Sequence, residues 1–145
     1  MKILDSVISL IPNEPSINIG FLSKNSDLNT QIEEKLKVLS ESNFANIENL
    51  ENINLIRLPF GGEFFESIII EDDSTILNPS IAKQLAFALQ KNRLLIVLTE
   101  KLSSEQLQEV YEPLHFSHFE SIDFDNETEN KYKILLMQKW FRFGD

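Results

Sequence analysis

Apolar positions along this chain fall first at helical spacing and then in short, nearly unbroken runs. Over residues 2–11, Leu4, Val7, Ile8 and Ile11 share one helical face, and Pro12 ends it. Residues 16–23 carry Ile17, Ile19, Phe21 and Leu22, a short strand. Asp27 is placed to cap a second helix, where Leu28, Ile32, Leu36 and Leu39 recur beside a Glu- and Lys-rich solvated side. Over residues 41–52 the pattern weakens. Phe44, Ile47 and Leu50 repeat at a spacing that suits a short helical turn or an irregular connection.

Residues 54–58 read as a strand that Pro59 ends by removing a backbone donor, and Gly61-Gly62 permits a sharp change of direction. Residues 65–70 are the clearest central strand, because Ile68-Ile69-Ile70 suits burial on both faces. Asn78-Pro79 starts a helix with Ile81, Leu85, Ala88 and Leu89 on its buried side. Residues 94–98 form a second doubly buried strand. Ser103 and Gln106 predict a reciprocal helix cap, with Leu102 stapled against Leu107 and the stripe continued by Val110 and Leu114. Residues 119–124 and 133–140 then read as two strands joined by the acidic loop 125–130.

Strands alternating with helices, closed by two consecutive strands, predict an α/β domain of three layers. Its sheet is mostly parallel with a C-terminal antiparallel strand pair. With 145 residues and neither an internal repeat nor a linker, the chain is one domain over 1–145.

Charge and composition narrow the partners. The 23 acidic and 13 basic side chains leave a net charge of -10, which disfavours nucleic acid and anionic membranes and suits a basic protein partner. There is no cysteine, hence no disulfide, thiol nucleophile or thiolate metal site. No apolar stretch approaches the roughly 20 residues needed to cross a bilayer. Asp5 also interrupts the start where a secretory signal would continue its apolar run, so the expected location is cytoplasmic.

The order of elements, and one stretch within them, resemble the class I S-adenosylmethionine-dependent methyltransferases. In that family a Leu-Pro-Phe turn often precedes a Phe-Asp-hydrophobic strand, the fourth of seven. Here Leu58-Pro59-Phe60 is followed by Phe65-Glu66-Ser67-Ile68-Ile69, with Glu66 in place of the aspartate. The helix over 81–90 and the run Lys91-Asn92-Arg93-Leu94-Leu95-Ile96-Val97 are similar to the next helix and strand, Lys91-Asn92-Arg93 replacing the customary Pro-Gly-Gly. The closing pair is similar to 119–122 and 132–139. The resemblance implies a Rossmann-like methyltransferase-type sheet, in which the weak pattern before residue 52 leaves one N-terminal strand missing.

The departures bear on function. The family's first strand leads into a Gly-x-Gly-x-Gly-like turn that lets the backbone approach the cofactor. In Asn18-Ile19-Gly20-Phe21-Leu22-Ser23-Lys24-Asn25, Gly20 stands alone, and Phe21 and Leu22 put bulk where the methionine portion would sit. The acid that grips the ribose hydroxyls after the second strand has only Glu48 and Glu51 as candidates. Were the cofactor bound, the resemblance would gather Gly20, Ser23, Glu48, Glu51, Glu71 and Asp72 around it.

Three further clusters have plain structural readings. Glu71-Asp72-Asp73 follows the triple-isoleucine strand at the ligand-binding edge of an open α/β sheet, and could hold a divalent ion or be a solvated loop. Leu77-Asn78-Pro79-Ser80 faintly resembles the Asn-Pro-Pro-aromatic signature of amino-directed methyltransferases, but helix capping accounts for it. His115 and His118 lack the carboxylates of a zinc shell and read as an aromatic-packed turn. The tail supplies Trp140, Phe141, Arg142 and Phe143 as protein-binding candidates, with Trp140 expected to fold back into the core.

The expectation from sequence is therefore a methyltransferase-like domain without catalysis or cofactor, acting as a protein-interaction or scaffold module. It resembles the silent methyltransferase-like domain of anamorsin-type iron–sulfur assembly proteins, although their cysteine-rich tail has no counterpart here. A divergent S-adenosylmethionine-dependent methyltransferase is one alternative. An acidic immunity-type protein that neutralises a basic toxin or enzyme is another, and would gather its acids on one face.

Overall fold

The computed structural model describes residues 2–51, 53–123 and 132–140. Helix α1 (Lys2–Ser9) precedes strand β1 (Asn18–Ser23), and α2 (Ser26–Asn43) leads to β2 (Asn46–Asn49). After an irregular segment come β3 (Ser67–Glu71), α3 (Pro79–Ala88), β4 (Leu94–Thr99), α4 (Ser104–Tyr111), β5 (Phe116–Ile122) and β6 (Lys133–Lys139). The strands form one sheet in the order β2-β1-β3-β4-β6-β5. The first four are parallel, and β6 runs antiparallel to both β4 and β5. This is the expected Rossmann-like architecture, with six strands among the described residues.

Burial on both faces explains why the central strands read as unbroken apolar runs. Ile69, Ile96 and Leu136 point to a core shared with Val7 of α1 and Ile32 and Leu36 of α2. Ile68, Ile70, Val97 and Leu135 point to the opposite core, shared with Leu85 of α3 and Leu107 of α4. Ser103 and Gln106 form the predicted capping box of α4.

Local signals misled in four places. The cap of α2 is Asn25, whose side chain accepts from Leu28 N at 3.0 Å, and the expected cap Asp27 sits in the first turn. The weakly patterned segment contains β2, a half-exposed edge strand with too few apolar residues to announce itself. Residues 54–58, expected as a strand, form a turn in which Asn54 accepts from the amides of Ile56 and Arg57. Strand β5 begins at Phe116, three residues early, because a shift in pairing between Ser117 and Glu120 absorbs His118 and hides the alternation. The acidic loop 125–130 lies outside the described residues.

A buried tyrosine ties two elements together. Tyr111, wholly buried, donates to the carbonyl of Ile76 at 2.8 Å. Burial, and then the negative charge of Asp72, push its phenol well above the ordinary range. The folded state thus favours the neutral form, so its contribution is intact below pH ~10 and is lost as the pH rises further. Tyr111→Phe should remove most of this alkaline loss while costing about 1 kcal/mol at neutral pH, read from urea unfolding at both pH values.

Candidate functional site

Strand β1 continues through α2 to the outer β2, whereas β3 continues through α3 in the other direction across the sheet. The carboxyl ends of β1 and β3 therefore flank a switch in strand order, where open α/β sheets form their ligand crevice. Ser23 and Glu71 are register partners at this point.

The three consecutive acids each secure a different loop of that edge. Glu71 Oε1 accepts from Ser23 Oγ at 3.1 Å and from the amides of Lys24 and Asn25 at 2.9 and 3.0 Å. Asp72 Oδ2 accepts from the amides of Ser74 and Ile76 at 3.2 and 2.8 Å, while its Oδ1 pairs with Lys24 Nζ at 3.2 Å. Asp73 Oδ1 accepts from Thr99 Oγ1 at 2.5 Å and from the amides of Glu100 and Lys101 at 3.0 and 3.1 Å. Burial alone would raise the Asp73 carboxyl, but those bonds and the Lys101 charge bring it below its usual range. The cluster is neither a free ion cage nor a solvated loop. Among the described residues no group of three or more acids and histidines is arranged to hold a metal ion.

Glu51 lies just beyond β2 and is exposed. The buried Asn29 links it to the end of β1, donating to Glu51 Oε2 at 3.3 Å and to the carbonyl of Ser23 at 3.0 Å. Glu48 stands within β2, opposite Gly20 in register, and accepts from Asn46 Nδ2 at 3.2 Å. Ser23, Glu51, Glu71 and Asp72 thus gather at the carboxyl edge, and Gly20 and Glu48 do not. A Cβ on Gly20 would stand 3.1 Å from the Phe65 ring, so this glycine makes room for aromatic packing.

Phe21 and Leu22 also take a different role from the one expected. They are 1% and 3% exposed, pack into opposite cores and place no bulk in the crevice. Asn25, Asn29 and Tyr132 are contributors that sequence reasoning missed. Tyr132, just before β6, shares a hydrogen bond with Asn25, and burial and then the charge of Glu71 raise its phenol. A helix-capping asparagine, an asparagine within that helix and a tyrosine before a strand carry no signal without a motif around them.

The fit to S-adenosylmethionine is tested by these contacts. An exposed carboxylate after β2 suits ribose hydroxyls, and buried acids beside the crevice suit a sulfonium and an ammonium. The amides after β1 already donate to Glu71, so a methionyl group would meet that carboxylate there.

The remaining candidates lie elsewhere. Asn78 caps α3, its side chain accepting from the amides of Ser80 and Ile81 at 2.8 and 3.3 Å. His115 meets the Trp140 ring edge-on at 6.3 Å, and His118 Nδ1 bonds Ser117 Oγ at 2.8 Å. Trp140 is 48% exposed and not part of the core as expected, because β6 ends before it at the sheet margin. Phe141, Arg142 and Phe143 lie outside the described residues. Among the described residues no helix is long and apolar enough to cross a membrane.

Neither a family model nor a curated protein matches this chain. Solved structures do match. One is the Haloferax volcanii complex between the Trm112 methyltransferase activator and a methyltransferase, with 9% identity, TM-score 0.66, and coverage of 94% of this chain and 88% of the other. A second is a Thermotoga maritima S-adenosylmethionine-dependent O-methyltransferase at 9% identity and TM-score 0.63, covering 99% and 67%. A third, the [4+2]-cyclase SpnF, has 10% identity and TM-score 0.66, covering 97% and 81%. The expectation that this chain is not an enzyme is corrected on this ground, since the structures it resembles are named as methyltransferases and, once, as a cyclase. The chain has the class I S-adenosylmethionine-dependent methyltransferase-like fold, with six strands among the described residues and a sequence that lacks the glycine-rich turn.

Proposed function

We propose that this chain is a divergent S-adenosylmethionine-dependent methyltransferase whose cofactor lies across the carboxyl ends of β1, β2 and β3. The observation that carries the reading is Glu51, exposed after β2 and tied to the end of β1 through Asn29. Its position suits a carboxylate that accepts bonds from the two ribose hydroxyls. Glu71 and Asp72 supply negative potential for the cationic groups, and their bonds to the loop amides fix the crevice wall before any ligand arrives. When bound, the cofactor supplies the methyl group on a sulfonium. The chain's own task is alignment and exclusion of water, which needs no covalent nucleophile.

Glu51→Ala should weaken binding of S-adenosylmethionine by about tenfold or more, the worth of a charge-assisted hydrogen bond, while changing stability by less than ~0.5 kcal/mol. Calorimetric titration and urea unfolding of the same samples separate these effects. Unchanged affinity in the variant would remove Glu51 from the site.

A protein partner is the second part of the reading. Phe44 and Val38, at the end of α2 before the edge strand β2, are 78% and 64% exposed, and Trp140 is half exposed beside the opposite edge. One structure of this fold was solved with a protein activator. The net charge of -10 favours a basic surface on such a partner. The immunity-type alternative is less supported: among the described residues acids line α2 on one face of the sheet and α4 on the other.

A further inference from the structure

At the amino-terminal edge of the sheet, opposite the crevice, β3 opens with Ser67. It is 1% exposed, and its hydroxyl is the only buried side-chain polar atom without a hydrogen-bond partner among the described residues. Burying a hydroxyl unpaired is unfavourable, so such a group marks a place where a partner belongs. Ser67 lines a cavity of about 400 Å³ between the sheet and the segment after α1. Leu10 and Leu94 give that cavity apolar wall, and Glu14, Glu66 and Arg93 give it charge.

Arg93 holds Glu14 in a two-pronged pair, Nη1 to Oε2 at 2.8 Å and Nη2 to Oε1 at 3.1 Å. The chain thus already seats a carboxylate on a planar guanidinium in the cavity that Ser67 lines. That fork suits planar two-oxygen acceptors as well as phosphates, and the group it already holds here is a carboxylate. Glu14 is 48% exposed and comes from the connection between α1 and β1, so the pair is a surface ion pair that a competitor displaces at small cost. Glu66 is already engaged, its two oxygens accepting from Asn18 N and Gln90 Nε2.

We propose that this cavity binds a small carboxylate, which takes the place of Glu14 on Arg93, accepts the Ser67 hydroxyl and lays a short carbon skeleton against Leu10 and Leu94. Glu14 then acts as a tethered competitor. The site lies at the far end of the strands from Glu51 and Glu71, so it does not depend on the methyltransferase reading.

The test titrates acetate, lactate and pyruvate separately into the full chain, read by calorimetry and by chemical-shift changes at the Ser67 and Arg93 amides. At least one should bind saturably at millimolar concentration. Glu14→Gln, which keeps the shape and removes the competing charge, should tighten that binding by about tenfold. Ser67→Ala should weaken it, and Arg93→Lys should abolish it by removing the fork. A gain in Glu14→Gln cannot come from misfolding, so it guards against a trivial loss in the other variants. Absence of saturable binding to both wild type and Glu14→Gln, or equal affinity in all four proteins, would overturn the proposal.

Discussion

Replacing Glu71 by alanine should lower the stability of the folded chain by about 3 kcal/mol. One buried carboxylate oxygen serves three donors, the Ser23 hydroxyl and the amides of Lys24 and Asn25. Hydrogen bonds to a charged acceptor are the stronger kind, and water can replace only part of this set because Ser23 is 1% exposed. The same loop positions Asn25, which caps α2, so the loss should spread into that helix. Urea unfolding should register the change, with the thermal midpoint falling by roughly 10 °C. Glu71→Gln should lose less, because its amide oxygen still accepts. An alanine variant as stable as wild type would mean that this carboxylate does not organise the edge.

Phe65→Ala should cost more, about 4 kcal/mol, through a cavity in the core. Phe65 is fully buried, and its ring meets those of Phe60 and Phe64 edge-on at 4.9 Å. It also presses on β1, where a Cβ at Gly20 would stand 3.1 Å from the ring. A coupled result follows. Gly20→Ala should destabilise the wild-type chain but be tolerated in the Phe65→Ala background, where the ring is gone. Equal cost in both backgrounds would show that Gly20 is kept for some reason other than this ring.

These residues also mark how far the sequence could be read. The triple isoleucine of β3, the capping box of α4 and the Asn78-Pro79 start of α3 are local signals with local causes, and each was legible. The edge strand β2 was not, because a strand paired on one side needs few apolar residues. Missing β2 also left Glu48 and Glu51 undistinguished, because only the strand shows that Glu48 stands within it and Glu51 beyond its end. Phe21 and Leu22 illustrate a second limit. Chain position put them beside the cofactor loop, whereas strand alternation sends them to opposite cores. The position of Glu71-Asp72-Asp73 at the carboxyl edge was legible, but its partners come from three separate loops that no spacing rule connects.

Calorimetric titration of the chain with S-adenosylmethionine and S-adenosylhomocysteine tests the proposed function most directly. Saturable binding near or below roughly 100 μM, about -5.5 kcal/mol or better, is the expected result. No heat, together with no thermal stabilisation at millimolar ligand, would contradict it.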